Sequence, residues 1–269
     1  MGRIYTIANQ KGGVGKTTTA VNLSAYLATF GQRILLVDLD PQANATSCLG
    51  IDKQTIKNSA YDVIIGETPV TKNILYNHKL KLSLLPSSPA LAGAEVELVS
   101  VISRETRLKT ALQPIIERYD YILIDCPPSL GLLTLNGVVA AKDGVIIPVQ
   151  CEYLALEGIG QLNQTLSRIR SAIFPKLLVR GVILTMFDVR TKLSADVVRE
   201  INRHFPDQVF TTIIPRSVRL AEAPSYGQPI SVYAPGSNGA MAYSDLAREI
   251  LVGDGVILSE YLQSLVSSE

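Results

Sequence analysis

Ile4-Tyr5-Thr6-Ile7-Ala8-Asn9-Gln10-Lys11-Gly12-Gly13-Val14-Gly15-Lys16-Thr17 begins with an apolar run, passes through a glycine-rich turn and enters a helical pattern. The run has no polar alternation, as expected of a strand buried on both faces. Thr17–Phe30 carries apolar residues at helical spacing, and Gly31 behind it suits a helix C-terminus. Strand, glycine turn and helix in this order are the setting in which a backbone loop cradles phosphate. Glycines let successive N–H groups turn inward on anionic oxygens, and the helix start adds partial positive charge. In such a loop Gly12, Gly13, Val14, Gly15 and Thr18 border the phosphates of ATP. Lys16 reaches the β- and γ-phosphates, and the Thr17 hydroxyl ligates Mg2+. A ligand-free glycine turn would leave Lys16 and Thr17 without a packing role.

Outward from this stretch the same alternation repeats. Ile34–Val37, Tyr121–Ile124, Val145–Val149 and Val182–Leu184 are further near-continuous apolar runs, and Lys81–Leu85 alternates in part, as a strand with one more exposed face would. Helical patterns fall at Arg104–Tyr119, Leu154–Ile173, Leu193–His204 and Ala240–Val252. Strands alternating with helices predict an α/β fold, a doubly wound and mostly parallel sheet flanked by helices. Pro86–Pro89 and Pro224–Pro235 read as loops, and neither a repeat nor a linker divides the chain. The expectation is one domain over residues 1–269, with a C-terminal tail from about 254.

Two apolar strands end in aspartate, at Val37-Asp38-Leu39-Asp40-Pro41-Gln42 and at Ile124-Asp125-Cys126-Pro127-Pro128-Ser129. Ligands of open α/β sheets bind beyond the carboxyl ends of the strands, so both segments are expected to face the phosphate loop. Mg2+ takes oxygen ligands and keeps several waters, which suits Asp125 acting through water. Asp40, just past its strand, is placed to orient an attacking water and to stand near the metal. The alternative for each is a strand-end aspartate that caps the next element.

Composition narrows the partners. Lys and Arg total 25 against 24 Asp and Glu, so a nucleic-acid or membrane partner would need a local patch. Such a patch is present between Arg168 and Arg219, where ten basic residues meet four acids, a local +6 that leaves −5 elsewhere. This concentration suits sequence-independent contact with a phosphate backbone, and equally a solvated helix face. Cys48, Cys126 and Cys151 are few, odd in number and widely spaced, which argues for a reducing compartment and buried thiols. Cys126 and Cys151 sit at packing positions, which disfavours an iron–sulfur site. No run approaches the ~18 apolar residues of a membrane span, and Met1–Arg3 leave no room for a targeting segment. The 256–269 tail is apolar but carries two Glu and no base, so anionic lipid would repel it. His78 and His204 are isolated, and no acceptor pocket of a metabolic kinase or ligase is evident.

The loop departs from G-x-x-x-x-G-K-[ST] in two places: Gln10 replaces the first glycine, and Lys11 adds a second lysine. Here the chain resembles the deviant Walker A ATPases, the class that contains ParA, MinD, the nitrogenase iron protein and the arsenical pump ATPase. The resemblance implies a nucleotide-sandwich homodimer in which Lys11 acts in trans. It places Asp40 on the switch I aspartate needed for hydrolysis, Asp125 to Ser129 on switch II, and Asp38 on a second acidic position near the metal. Pro148-Val149-Gln150-Cys151-Glu152 and Ile214-Pro215-Arg216-Ser217-Val218-Arg219-Leu220-Ala221-Glu222-Ala223-Pro224 extend the likeness to the short ParA subfamily often called Soj. For that subfamily the implied function is DNA segregation by an ATPase. Arg190 and Arg219, with Lys192 and Arg216 beside them, would touch nonspecific double-stranded DNA. Met186, Phe187 and Pro215 would contact adenine, and a ParB-type centromere-binding protein would stimulate a slow hydrolysis. The expected location is the cytoplasm, on the nucleoid and off the membrane. A ParA-like ATPase that positions a protein cargo, or a MinD-like spatial regulator, is the alternative.

Overall fold

The computed structural model describes residues 2–257, and of residues 153–159 and 161–163 only the backbone. Eight strands are formed: β1 (Arg3–Ile7), β2 (Ile34–Asp38), β3 (Leu75–Asn77), β4 (Leu82–Leu85), β5 (Tyr121–Asp125), β6 (Gly144–Gln150), β7 (Val179–Phe187) and β8 (Val209–Pro215). They make one sheet in the order β3-β4-β2-β5-β1-β6-β7-β8, parallel throughout except for the β3–β4 pair. The doubly wound reading is borne out.

Both faces of this sheet are covered, which explains the unbroken apolar runs. In β5, Ile122 and Ile124 join one buried cluster while Tyr121 and Leu123 join the other, as the two-residue period of a strand requires. The first cluster takes Leu91, Leu108, Leu133 and Ile201 from helices on its side, and the second takes Leu23, Leu27, Leu246 and Ile250. The second face rests on α1 (Lys16–Thr29) and the long helix Asn238–Gly253, whose N-cap Ser237 accepts from the Ala240 N–H.

Three expectations need correction. The pattern over Arg104–Tyr119 is broken into two 3-10 turns around a short helix, Arg107–Leu112. Pro114 has no N–H to continue the α-helical ladder and clashes with the preceding turn. The Leu82–Leu85 strand is buried on both faces, Leu82 and Leu84 in one cluster and Leu85 in the other, because both sides of the sheet are covered. The proline-rich Pro224–Pro235 segment holds two short helical turns, Ala223–Tyr226 and Ile230–Tyr233. All three cysteines are free and buried, as expected. No helix among the described residues is long and apolar enough to cross a membrane. The tail beyond 257 lies outside the described residues.

Candidate functional site

The loop between β1 and α1 is shaped by two left-handed glycines, Gly13 (φ +75°) and Gly15 (φ +89°), where an L side chain would be strained. Gly15 stands at the N-cap position, so no side chain caps α1. The first N–H groups of this 14-residue helix are those that an anion at its end takes. Neighbours hold the loop from three sides. Asn9 Nδ2 donates to the Pro148 carbonyl (2.7 Å) while its Oδ1 accepts from the Lys11 N–H (3.1 Å). Thr185 Oγ1 donates to the Val14 carbonyl (2.9 Å), and Gln10 Nε2 donates to Thr165 Oγ1. Gln10, the departure from the usual loop, therefore ties it to the helix Tyr153–Ala172. Asn9, Thr185 and Thr165 escaped the sequence reading; only Asn9, inside the quoted stretch, had a local signal.

Lys16 is buried, and its ammonium donates to the Lys11 carbonyl (2.9 Å). Burial pulls its pKa below the usual lysine range, against the opposing pull of Asp125 and Asp40. The Lys11 ammonium is also buried, yet among the described residues it has no hydrogen-bond partner. Thr18 stays in the helix, its carbonyl accepting from Asn22 Nδ2 (2.8 Å).

Asp125 ends β5 with both carboxylate oxygens buried and, among the described residues, without a hydrogen-bond partner. Burial raises its pKa well above the usual carboxylate range, and the charges of Asp38 and Asp40 raise it further. The nearby Thr17 hydroxyl and Lys16 lower it, although Thr17 does not meet hydrogen-bond geometry with either oxygen. A carboxylate left bare in a dry site costs free energy unless a cation or donor meets it. Asp38 differs. Its Oδ1 accepts from the Asp40 N–H (3.2 Å) and its Oδ2 from the N–H and hydroxyl of Thr46 (2.8 and 2.7 Å). The capping alternative therefore describes Asp38, which anchors the loop leading into the helix Asn44–Cys48. Asp40 lies between the two: its Oδ1 accepts from the Gln42 N–H (2.9 Å), and its Oδ2 accepts no hydrogen bond among the described residues.

These groups fit a magnesium nucleotide. An orphaned ammonium on the loop and an orphaned carboxyl at the end of β5, close to Lys16, stand among the described residues, and the hard oxygens of Thr17, Asp40 and Asp125 suit Mg2+. Among the described residues no cluster of three or more His, Cys, Asp or Glu could hold a metal alone, so such an ion would draw further ligands from phosphate and water.

The same sheet end carries Met186, Phe187 and Pro215. Phe187 and Pro215 are register partners, and the Arg216 N–H donates to the Phe187 carbonyl (2.9 Å). All three are half-buried, and Met186 takes a left-handed backbone (φ +53°). Arg190, Lys192, Arg216 and Arg219 are exposed beyond these strand ends. Three of the four are already paired: Arg190 with Asp188 (2.7 Å), Arg216 with Glu152 (2.7 Å) and Arg219 with Glu222 (2.9 Å). Arg180 likewise pairs with Asp254 (3.1 Å). Glu152, Glu222 and Asp254 come from outside the basic segment, so the fold neutralises part of its charge. Lys192 makes no ion pair among the described residues.

Residues 2–179 match a family model described as an AAA domain. The chain is 53% identical over 250 residues to the sporulation initiation inhibitor protein Soj of Bacillus subtilis, covering 93% of this chain and 98% of that one. It is 49% identical to the chromosome-partitioning ATPase Soj of Treponema pallidum, covering 95% and 99%. The chain belongs to the Soj/ParA family of chromosome-partitioning ATPases. Among solved structures, a Mycobacterium smegmatis protein called cobyrinic acid a,c-diamide synthase, with bound ADP and magnesium, superposes with a TM-score of 0.82. It shares 39% identity, over 93% of this chain and 94% of that one. For a Soj/ParA chain, the Lys11 and Asp125 orphans stand on the loop and switch II segments that carried the resemblance.

Proposed function

We propose that ATP binding closes two copies of this chain face to face and that the closed dimer holds DNA without sequence preference. Lys16 and the start of α1 bind the phosphates, and Met186, Phe187 and Pro215 border the base. Thr17 and Asp125, with Asp40 beside them, would hold Mg2+, which when bound neutralises charge on the β- and γ-phosphate oxygens. Lys11 leaves its buried position for the nucleotide of the second copy, and the free Oδ2 of Asp40 orients the attacking water. ATP and water become ADP and phosphate, the copies part, and DNA is released. Intrinsic turnover is slow and a ParB-type partner accelerates it, so that nucleotide state sets residence on the nucleoid. The observation that carries this reading is the buried Lys11 ammonium, which has no hydrogen-bond partner among the described residues. A desolvated, unpaired cation gains most by meeting phosphate.

A second reading, an ATPase that positions a protein cargo or a MinD-like spatial regulator, is favoured by the self-pairing of Arg190, Arg216 and Arg219. Fluorescence anisotropy of a random-sequence duplex with the Asp40→Ala protein, in ATP and in ADP at several salt concentrations, separates the two. Binding in ATP alone that falls steeply with salt and is lost in Arg219→Ala is the expected result. No binding in either nucleotide would leave the cargo reading in its place.

A further inference from the structure

The loop that carries Asp40 is closed by a ring of hydrogen bonds that joins three buried side chains, those of Asp38, Thr46 and Ser87, to the Asp40 backbone. Asp38 takes the Asp40 N–H on one oxygen (3.2 Å) and Thr46 on the other (2.7 Å from the hydroxyl). The same Thr46 hydroxyl accepts from the Ser87 N–H (3.0 Å), and the Ser87 hydroxyl donates to the Asp40 carbonyl (2.7 Å). Asp40 is thus held by its N–H and its C=O, from two directions and by two different elements. Ser87 follows β4, which pairs with β2 below the loop, so the sheet itself supplies the second hold. Asp38, Thr46 and Ser87 are wholly buried and Asp40 nearly so, which keeps water from competing for these bonds. Among the described residues no donor reaches Asp40 Oδ2, so the carboxylate's aim depends on the Gln42 N–H at Oδ1 (2.9 Å) and on this backbone frame.

We propose that Thr46 and Ser87 are positioning residues for hydrolysis: they set where the Asp40 carboxylate points without touching the nucleotide. This rests on the reading of Asp40 as the group that orients water. A water-orienting group loses rate steeply with displacement, on the order of 100-fold for about 1 Å. Binding of ATP depends instead on the phosphate loop, with which Thr46 and Ser87 share no hydrogen bond among the described residues.

The test measures ATP turnover together with the dissociation constant of a fluorescent ATP analogue. Ser87→Ala and the isosteric Thr46→Val should lower kcat at least about tenfold with the dissociation constant within about twofold. Thr46→Ser, which keeps the hydroxyl, should retain wild-type kcat within about threefold. In an Asp40→Ala background, Ser87→Ala should cost nothing further, because the two act as a unit. Wild-type turnover in Ser87→Ala overturns the proposal, as does an equal loss in Thr46→Ser or an additive loss in the double variant. Should Thr46→Val fail to fold, the Ser87→Ala and double-variant comparisons decide. Full turnover in Asp40→Ala would instead remove the reading of Asp40 on which the proposal stands.

Discussion

Asp38 and Asp125 are register partners on the adjacent parallel strands β2 and β5, both wholly buried, and they are treated oppositely by their surroundings. Asp38 uses one oxygen on the Asp40 N–H and the other on Thr46 of the helix Asn44–Cys48, whereas Asp125 uses neither among the described residues. Burial raises both pKa values, Asp38 to about 6 and Asp125 well above the usual range. A raised carboxylate pKa means that the folded state prefers the protonated form. The contribution of Asp125 to stability is therefore present below the unfolded value near 4 and is lost as pH rises through the folded value.

Asp125→Asn removes this buried carboxyl, whose ionisation the folded state opposes. The nucleotide-free variant is expected to melt higher than wild type at neutral pH, while the extra stabilisation by ATP with Mg2+ disappears. Thermal unfolding with and without Mg2+ and ATP checks both halves. A variant that melts lower when free of nucleotide would show that Asp125 is paired in a way the geometry excludes.

Gly12 has room for a side chain within one copy: a Cβ there would meet only Pro128 Cβ, at 4.0 Å. Gly12→Val should accordingly fold and bind nucleotide much as wild type does. If the Gly12 edge lies at the seam between two copies, the valine blocks closure. Light scattering in ATP should find the variant monomeric, and cooperative DNA binding by it would sink the seam assignment.

Asp188 and Glu222 hold Arg190 and Arg219 on an open surface. Arg190 pushes the Asp188 carboxyl down to about 2, so the acid remains charged at any physiological pH. Asp188→Asn and Glu222→Gln should free their arginines, tighten duplex binding several-fold and steepen its salt dependence. Unchanged affinity in both would place the DNA contact elsewhere.

Asp254, its side chain almost wholly buried, accepts from the Tyr5 hydroxyl (2.8 Å) and pairs with Arg180 (3.1 Å) and Arg3 (3.5 Å). It fastens the end of the Asn238–Gly253 helix under β1. Asp254→Ala strands the half-buried Arg180, and a loss of about 2–3 kcal/mol is expected in urea unfolding, below the ~3–5 kcal/mol of a fully buried pair. Burial and the Asp254 charge push the Tyr5 hydroxyl up to about 12. Its contribution is present below about pH 10 and is lost as pH rises through about 12, so Tyr5→Phe should flatten this part of the alkaline unfolding curve.

Local chemistry alone determined the phosphate loop, the doubly wound class and the aspartates at two strand ends. A glycine-rich turn, an unbroken apolar run and a strand-end acid are features of neighbours in the chain, and each has one dominant structural use. Other elements left no such trace. β8, Val209–Pro215, mixes Thr211 and Thr212 into an edge strand that is exposed in part, so its pattern resembles a loop. The tertiary structure decided which aspartate is satisfied and which is bare, because Thr46 and Ser87 reach Asp38 and Asp40 from 8 and 47 positions away. It likewise decided that the basic segment is partly neutralised, by Glu152, Glu222 and Asp254 from other parts of the chain. Hydrogen bonds and ion pairs act over a few ångströms in space, and distance along the chain does not constrain which groups the fold brings that close.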